Sequence, residues 1–194
     1  MGVEPRPEKA ALAALIAVHA GAFVWGVAEA TVFFIVPDVL LTALALWSFR
    51  RGLAACGWAT AGALCGGLLM YWWGSRSPER AEVLLDWVPA VSPQMIEDVR
   101  EGLAEGGLRA LFFGPLKGTP YKIYAVESGR LGLNLAAFLL VSAPARLARF
   151  LILASLAGWL ARGPLKGWTP RRRTALVLFL WTAFYVFFFA LMPG

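Results

Sequence analysis

The sequence predicts an all-α integral membrane protein in which two inverted re-entrant helical hairpins are packed among about three spanning helices and short surface helices. Three observations carry that expectation. The 194-residue chain is 59% hydrophobic and 15% charged, where soluble domains carry roughly a quarter charged residues, and its mean hydropathy is +0.66. Two apolar stretches are interrupted by prolines and charges, which an ordinary spanning helix does not accommodate. The basic residues, finally, gather on one side of the membrane only if both interrupted stretches return to the side they came from. One domain is expected, 1–194, and apolar segments use nearly all of it, leaving no room for a soluble catalytic domain.

Met1 to Lys9 holds Glu4, Arg6, Glu8 and Lys9. This balanced lead makes a poor signal peptide, although Val18-His19-Ala20 resembles a cleavage site, and the segment is expected to be retained. Ala10 to Val36 is one apolar run, yet Glu29 lies within it and Pro37-Asp38 breaks it. The piece from Val39 to Phe49 is too short, at ~1.5 Å per residue, to cross a core of ~30 Å. Residues 1–51 are therefore read as an N-terminal helix and a first hairpin, closed at a membrane surface by Arg50-Arg51. Residues 53–73 form an uninterrupted spanning helix. Its glycines 57, 62, 66 and 67 suit close packing, and Tyr71-Trp72-Trp73 belongs to an interfacial aromatic belt. Cys56 and Cys65 fall half a turn out of phase in this helix and cannot pair within it.

Residues 75–109 are polar, with four arginines against seven carboxylates, and form an acidic extramembrane excursion. Apolar residues at helical spacing in Glu82 to Val88 and Gln94 to Leu103, separated by Pro89 and Pro93, predict two short surface helices without chemistry. The second hairpin is placed at 110–130, where Phe112 to Gly129 holds two prolines, three glycines and three charges. Spanning helices are expected at 133–161, despite Pro144, Arg146 and Arg149, and at 174–192. With both hairpins re-entering, the N-terminus, Arg50-Arg51 and the basic 162–173 loop share the cytoplasmic side, and the acidic excursion lies outside. The hairpins then enter from opposite faces, as in transporters with a midplane site.

Glu29 and Asp38 are acids in or beside apolar segments. A buried carboxylate is neutral, paired with a cation, or used in proton exchange; for Asp38, capping the Val39 helix is the plainer alternative. Lys117 and Lys122 suit a phosphate, beside N–H groups exposed where a helix starts after Pro120, unless the amines snorkel to the surface, Lys117 first. Tyr121 and Glu127 join Lys117 as secondary candidates, with Glu127 expected to pair with Lys117, Lys122 or Arg130. Arg146 and Arg149, three apart, share a helix face, and Arg146 lies about 20 Å along a helix starting near Leu133, so it must face polar groups. Two arginines, two acids and interrupted backbone describe an anion-binding cavity with internal counter-ions, or a purely structural ion-pair network. His19 has no partner at ligand spacing. No nucleophile elbow, zinc set, phosphate loop or Asp-rich metal motif occurs, so neither an enzyme nor a metal or other cofactor is expected. Basic residues at segment ends, rather than on one polar face, speak against nucleic acid.

Glu29-Ala30-Thr31-Val32-Phe33-Phe34-Ile35-Val36-Pro37-Asp38-Val39-Leu40-Leu41, Pro120-Tyr121-Lys122-Ile123-Tyr124 and Ser142 to Phe150 together resemble the DedA family of bacterial membrane proteins, in the VTT (SNARE-associated Golgi) superfamily, and within it the YqaA-like branch. The resemblance covers most of the chain. It implies paired re-entrant hairpins, a place in the bacterial inner membrane, and transport or scrambling of lipids such as undecaprenyl phosphate or phospholipid, in some members coupled to protons. Glu29 and Asp38 look like the family's acidic pair, and Lys122 sits near the position of an essential arginine. The familiar Arg-containing motif of the second hairpin is absent, and Arg146 and Arg149 look like the branch's own feature. The expectation is thus a flippase or scramblase of a phosphate-bearing lipid, proton-linked, with a homo-oligomer admitted. The alternatives are a non-transporting scaffold or assembly factor and a proton-coupled small-solute antiporter.

Overall fold

The computed structural model describes residues 7–114 and 118–191; Lys117 thus lies outside the described residues. Those residues form helices, with no strand among them: α1 Pro7–Thr31, α2 Asp38–Trp47, α3 Phe49–Arg76, α4 Pro78–Asp86, α5 Pro93–Gly106, α6 Leu108–Phe113, α7 Tyr121–Arg130, α8 Leu135–Arg162 and α9 Pro170–Leu191. Four are long and apolar enough to cross a membrane: Ala11–Thr31 within α1, and all of α3, α8 and α9. The N-terminal run therefore adds a candidate span to the three expected from the sequence.

Several boundaries differ from the sequence reading. The first break comes at Thr31, six residues before Pro37: the Val32 N–H still reaches Ala28 O at helical spacing, whereas the Phe33 N–H turns to that same carbonyl across five residues at 2.7 Å. Arg50-Arg51, expected to close the first hairpin, falls in the first turn of α3, and the chain reverses just before it at the single extended residue Ser48. In the excursion, prolines occupy the first helical position of both α4 and α5, where their missing N–H costs nothing, and the Ser92 side chain caps α5 by accepting from Met95 N–H at 3.3 Å.

Glycine contacts set the directions of the long helices. Gly26 lies on Ala59 and Ala63, Gly62 on Phe23, and Gly66 on Val27 and Ala30, while His19 stacks on Trp58 with ring centres 5.8 Å apart. Positions rising together in both chains make α1 and α3 parallel. Gly67 against Tyr121, Gly74 against Val126 and Gly129 against Tyr71 make α7 parallel to α3 as well. α8 runs the other way: the Tyr71 hydroxyl donates to the Leu133 carbonyl near its start, and Gly158 lies against Phe49 near its end. Three hydrogen bonds dock α9 antiparallel to α2 and its preceding turn, from Trp47 Nε1 to Thr174 Oγ1 (2.8 Å), from Trp181 Nε1 to Thr42 Oγ1 (3.0 Å) and from Val36 N to Tyr185 OH (2.9 Å).

It follows that the start of α1, Arg50-Arg51 and the α8–α9 loop share one end, here the basic end. The end of α3, α4, α5, the end of α7 and the start of α8 share the other, acidic end. The turn after α1 and the start of α7 come from opposite ends and meet beside Gly67, roughly two-thirds of the way along α3 from its basic end at ~1.5 Å per residue. One apolar core surrounds α7, with Leu85, Ile96, Val99, Leu103 and Phe138; a second joins α2, α3 and α8 through Leu41, Ala45, Ala55, Phe150 and Ala154.

A charged cavity where the two chain breaks meet

Three of the five ionisable residues at the meeting point stand at helix termini, and the two arginines come from the interior of α8. Glu29 is in the last turn of α1, Asp38 opens α2, and Lys122 is the second residue of α7. Arg146 and Arg149 share one face of α8 just beyond Pro144, which removes one backbone N–H from the helix ladder. The side chains find each other: Arg146 pairs with Glu29, and Arg149 Nη2 lies 2.8 Å from Asp38 Oδ2. The Arg146 guanidinium also stands over the rings of Tyr121 at 5.0 Å and Phe150 at 4.8 Å, a favourable place for a cation with little water. Asp38, a candidate helix cap, is instead the first residue of α2 after the cap position at Pro37, and its carboxylate pairs with Arg149.

Lys122 is treated differently. Its ammonium donates to the Phe33 carbonyl at 2.8 Å, an acceptor freed because the chain is not helical there. Three cations and two carboxylates leave the cluster one formal positive charge, and Lys122 is the cation whose hydrogen bond goes to a neutral oxygen. Arg146 and Asp38 are fully buried, while Glu29 and Lys122 are almost so. Arg146 Nε and Nη1 and Asp38 Oδ1 find no hydrogen-bond partner among the described residues, so the cluster keeps polar capacity to spare.

A cavity of about 510 Å³ opens beside this cluster. Its polar end is lined by Glu29, Lys122 and Arg149, with Phe33, Phe34 and Thr119, and most of the rest of its wall is apolar, from α8 and α9 with Leu46 of α2 and Pro89–Val91. Three sequence candidates thus reach the cavity, whereas Asp38 and Arg146 stand behind its wall as their counter-ions. Tyr121 packs on Arg146 and Gly67 and does not line it.

Glu127 sits elsewhere. It is fully buried at the acidic end and pairs with Arg100 of α5 at 2.9 Å, not with Lys122 or Arg130. Arg130 takes Glu82 of α4 at 2.6 Å, and Arg100 reaches the same Glu82 at 3.2 Å. The Arg100 guanidinium is held above its ordinary pKa, first by its hydrogen bond to the Glu127 carboxylate, which favours the charged form. The excursion expected to lie passively at a surface is therefore clamped to α7, and its loop Pro89–Val91 also lines the cavity. Only the seven-to-four acid excess hinted at partners there. Among the described residues, no group of three or more His, Cys, Asp or Glu is placed to hold a metal ion.

A protein of Haemophilus influenzae, described only as uncharacterized, is 25% identical to the chain over 138 residues, which cover 68% of this chain and 67% of that protein. No family model matches the sequence, and no solved structure matches it.

Proposed function

We propose that the protein is a transporter of flippase or scramblase type for a phosphate-bearing lipid of the undecaprenyl phosphate or phospholipid class, working in the bacterial inner membrane with its basic end in the cytoplasm. The observation that carries this reading is the cavity. Its charged end has one formal cation in excess at the point where two chain breaks meet, and apolar walls continue from it. Lys122 and Arg149 line that charged end, and ammonium and guanidinium donors make the strongest hydrogen bonds to phosphate oxygens, which supports this reading. The Phe33 carbonyl holds Lys122 and Asp38 holds Arg149, so both donors are fixed before the ligand arrives. Proton coupling is assigned to Glu29, whose carboxylate faces the cavity and whose release from Arg146 is the event a proton would accompany. The resemblance to the DedA family, drawn from the sequence, points the same way.

A scaffold without transport is the second reading, favoured by the complete burial of Arg146 and Asp38, which gives the pairs a structural use under either view. Substituting Glu29 alone does not separate the two, because it breaks a buried pair. Lys122 does. In vesicles containing a fluorescent phosphate-headgroup lipid, Lys122→Met, which keeps the volume of the buried stem, is expected to lose most lipid movement while the detergent-purified protein stays folded, its melting temperature lowered only by loss of the hydrogen bond to the Phe33 carbonyl. Equal lipid movement with and without the wild-type protein would remove the transport reading, and movement of headgroup-free solutes alone would favour an antiporter.

A further inference from the structure

The apolar wall of the cavity has a shape that the charged end does not explain. On α8, Arg149, Leu153, Leu156, Ala157 and Leu160 line it, a spacing that keeps one face of the helix turned to the cavity. On α9, Val177, Leu180, Phe184 and Phe188 do the same. Two apolar stripes thus face each other across open space instead of interdigitating. From Leu176 to Phe188 the space runs about 18 Å along α9 at ~1.5 Å per residue, and it leads from the cation cluster toward the basic end. Leu156, Leu180 and Phe184 are each half exposed, so the seam is open along its side. α9 does little to close it, with Val177 its one buried residue among those described.

Resting on the lipid reading above, we infer that this trench is a subsite for a single hydrocarbon chain of an anionic lipid, entered sideways between α8 and α9. The same face of α8 presents a cation and then four apolar side chains, which is the order of charge and hydrocarbon in the ligand. Hydrocarbon gains nothing by leaving one apolar medium for another, so the trench is not a trap. It lets the chain stay in apolar surroundings while the phosphate is drawn in to Lys122. The bound lipid points its head toward the acidic end and its tail toward the basic end, the orientation of the leaflet on the α4–α5 side.

The test uses wild-type full-length protein in phospholipid vesicles and hexadecyl phosphate carrying a diazirine, either on the carbon next to the phosphate or at the chain end. After photolysis, the chain-end reagent is expected to label Leu160, Leu165 or Leu176, and the head-proximal reagent Phe33, Phe34 or Thr119. The same sites from both reagents, or labelling confined to outward residues such as Phe179 and Phe187, would overturn the subsite. Lipid movement measured in the same vesicles keeps the two ideas apart. Expected labelling without movement leaves the subsite standing and removes transport, whereas movement with scattered labels does the reverse. Leu156→Trp and Leu180→Trp, at half-exposed positions, are expected to reduce chain-end labelling at least fivefold with unchanged melting temperature.

Discussion

At the scale of single residues, the cluster separates a cation that is free to act from cations already committed. Lys122 donates to a carbonyl, so its removal strands no carboxylate. Lys122→Ala is expected to weaken binding of a phosphate ligand by about 10- to 100-fold, the value of one hydrogen bond to a charged group at ~1.5–3 kcal/mol, and Lys122→Arg to restore part of it; titration calorimetry in detergent reads both. Arg146 behaves in the opposite way. Removing one member of a buried pair leaves an uncompensated charge at a cost of about 3–5 kcal/mol. Arg146→Met and Glu29→Leu should each lower the melting temperature, and the double substitution should recover most of the loss, with the coupling read from the cycle. All five ionisable residues of the cluster were legible in the sequence because such groups are rare in apolar runs. Which of them pair with each other was not, since the partners lie 111 and 117 residues apart.

Among elements, the glycines of α1 and α3 divide into those that touch and those that do not. A Cβ at Gly26 or Gly62 would overlap the backbone of the facing helix, whereas Gly57 meets nothing. Gly62→Ala is expected to cost about 1–3 kcal/mol by overpacking and Gly57→Ala to leave thermal unfolding in detergent unchanged. The Gly62-x-x-x-Gly66 spacing showed that a close partner exists, but not that it is α1 running in the same direction. The clamp on α7 gives a second prediction. Arg100→Ala leaves the buried Glu127 unpaired, so hydrogen exchange should rise in α4, α5 and the last turn of α7 and stay unchanged in α1 and α3. Equal acceleration throughout would mean that the clamp holds the whole fold rather than one layer. α4 and α5 were readable from proline and apolar spacing, but their docking was not, because an amphipathic helix looks the same in sequence whether it lies on protein or on a membrane surface.

For the whole molecule, placing all strongly basic segments at one end makes the topology testable. Glu101→Cys and Lys166→Cys are expected to react with a membrane-impermeant maleimide from opposite sides of sealed spheroplasts, Glu101→Cys from outside, with the native cysteines replaced. Reaction of both from one side would contradict the shared-end arrangement as it sits in a membrane. The all-helical class and the long helices were legible from hydropathy and length, and the first break was legible as a break though not to the residue. The trench was not, since a stripe of Leu and Phe facing a gap and one facing lipid are written alike. One consequence follows from how α9 is docked. In lipid, helices are not pressed together by water, and each interhelical hydrogen bond is worth only about 0.6 kcal/mol on average. Three such bonds make a weak latch beside the ring contacts of Phe34 with Tyr185 and Phe189, so α9 is the helix expected to yield first. This breathing, not a large rearrangement of the bundle, would set how fast a chain slips in or out.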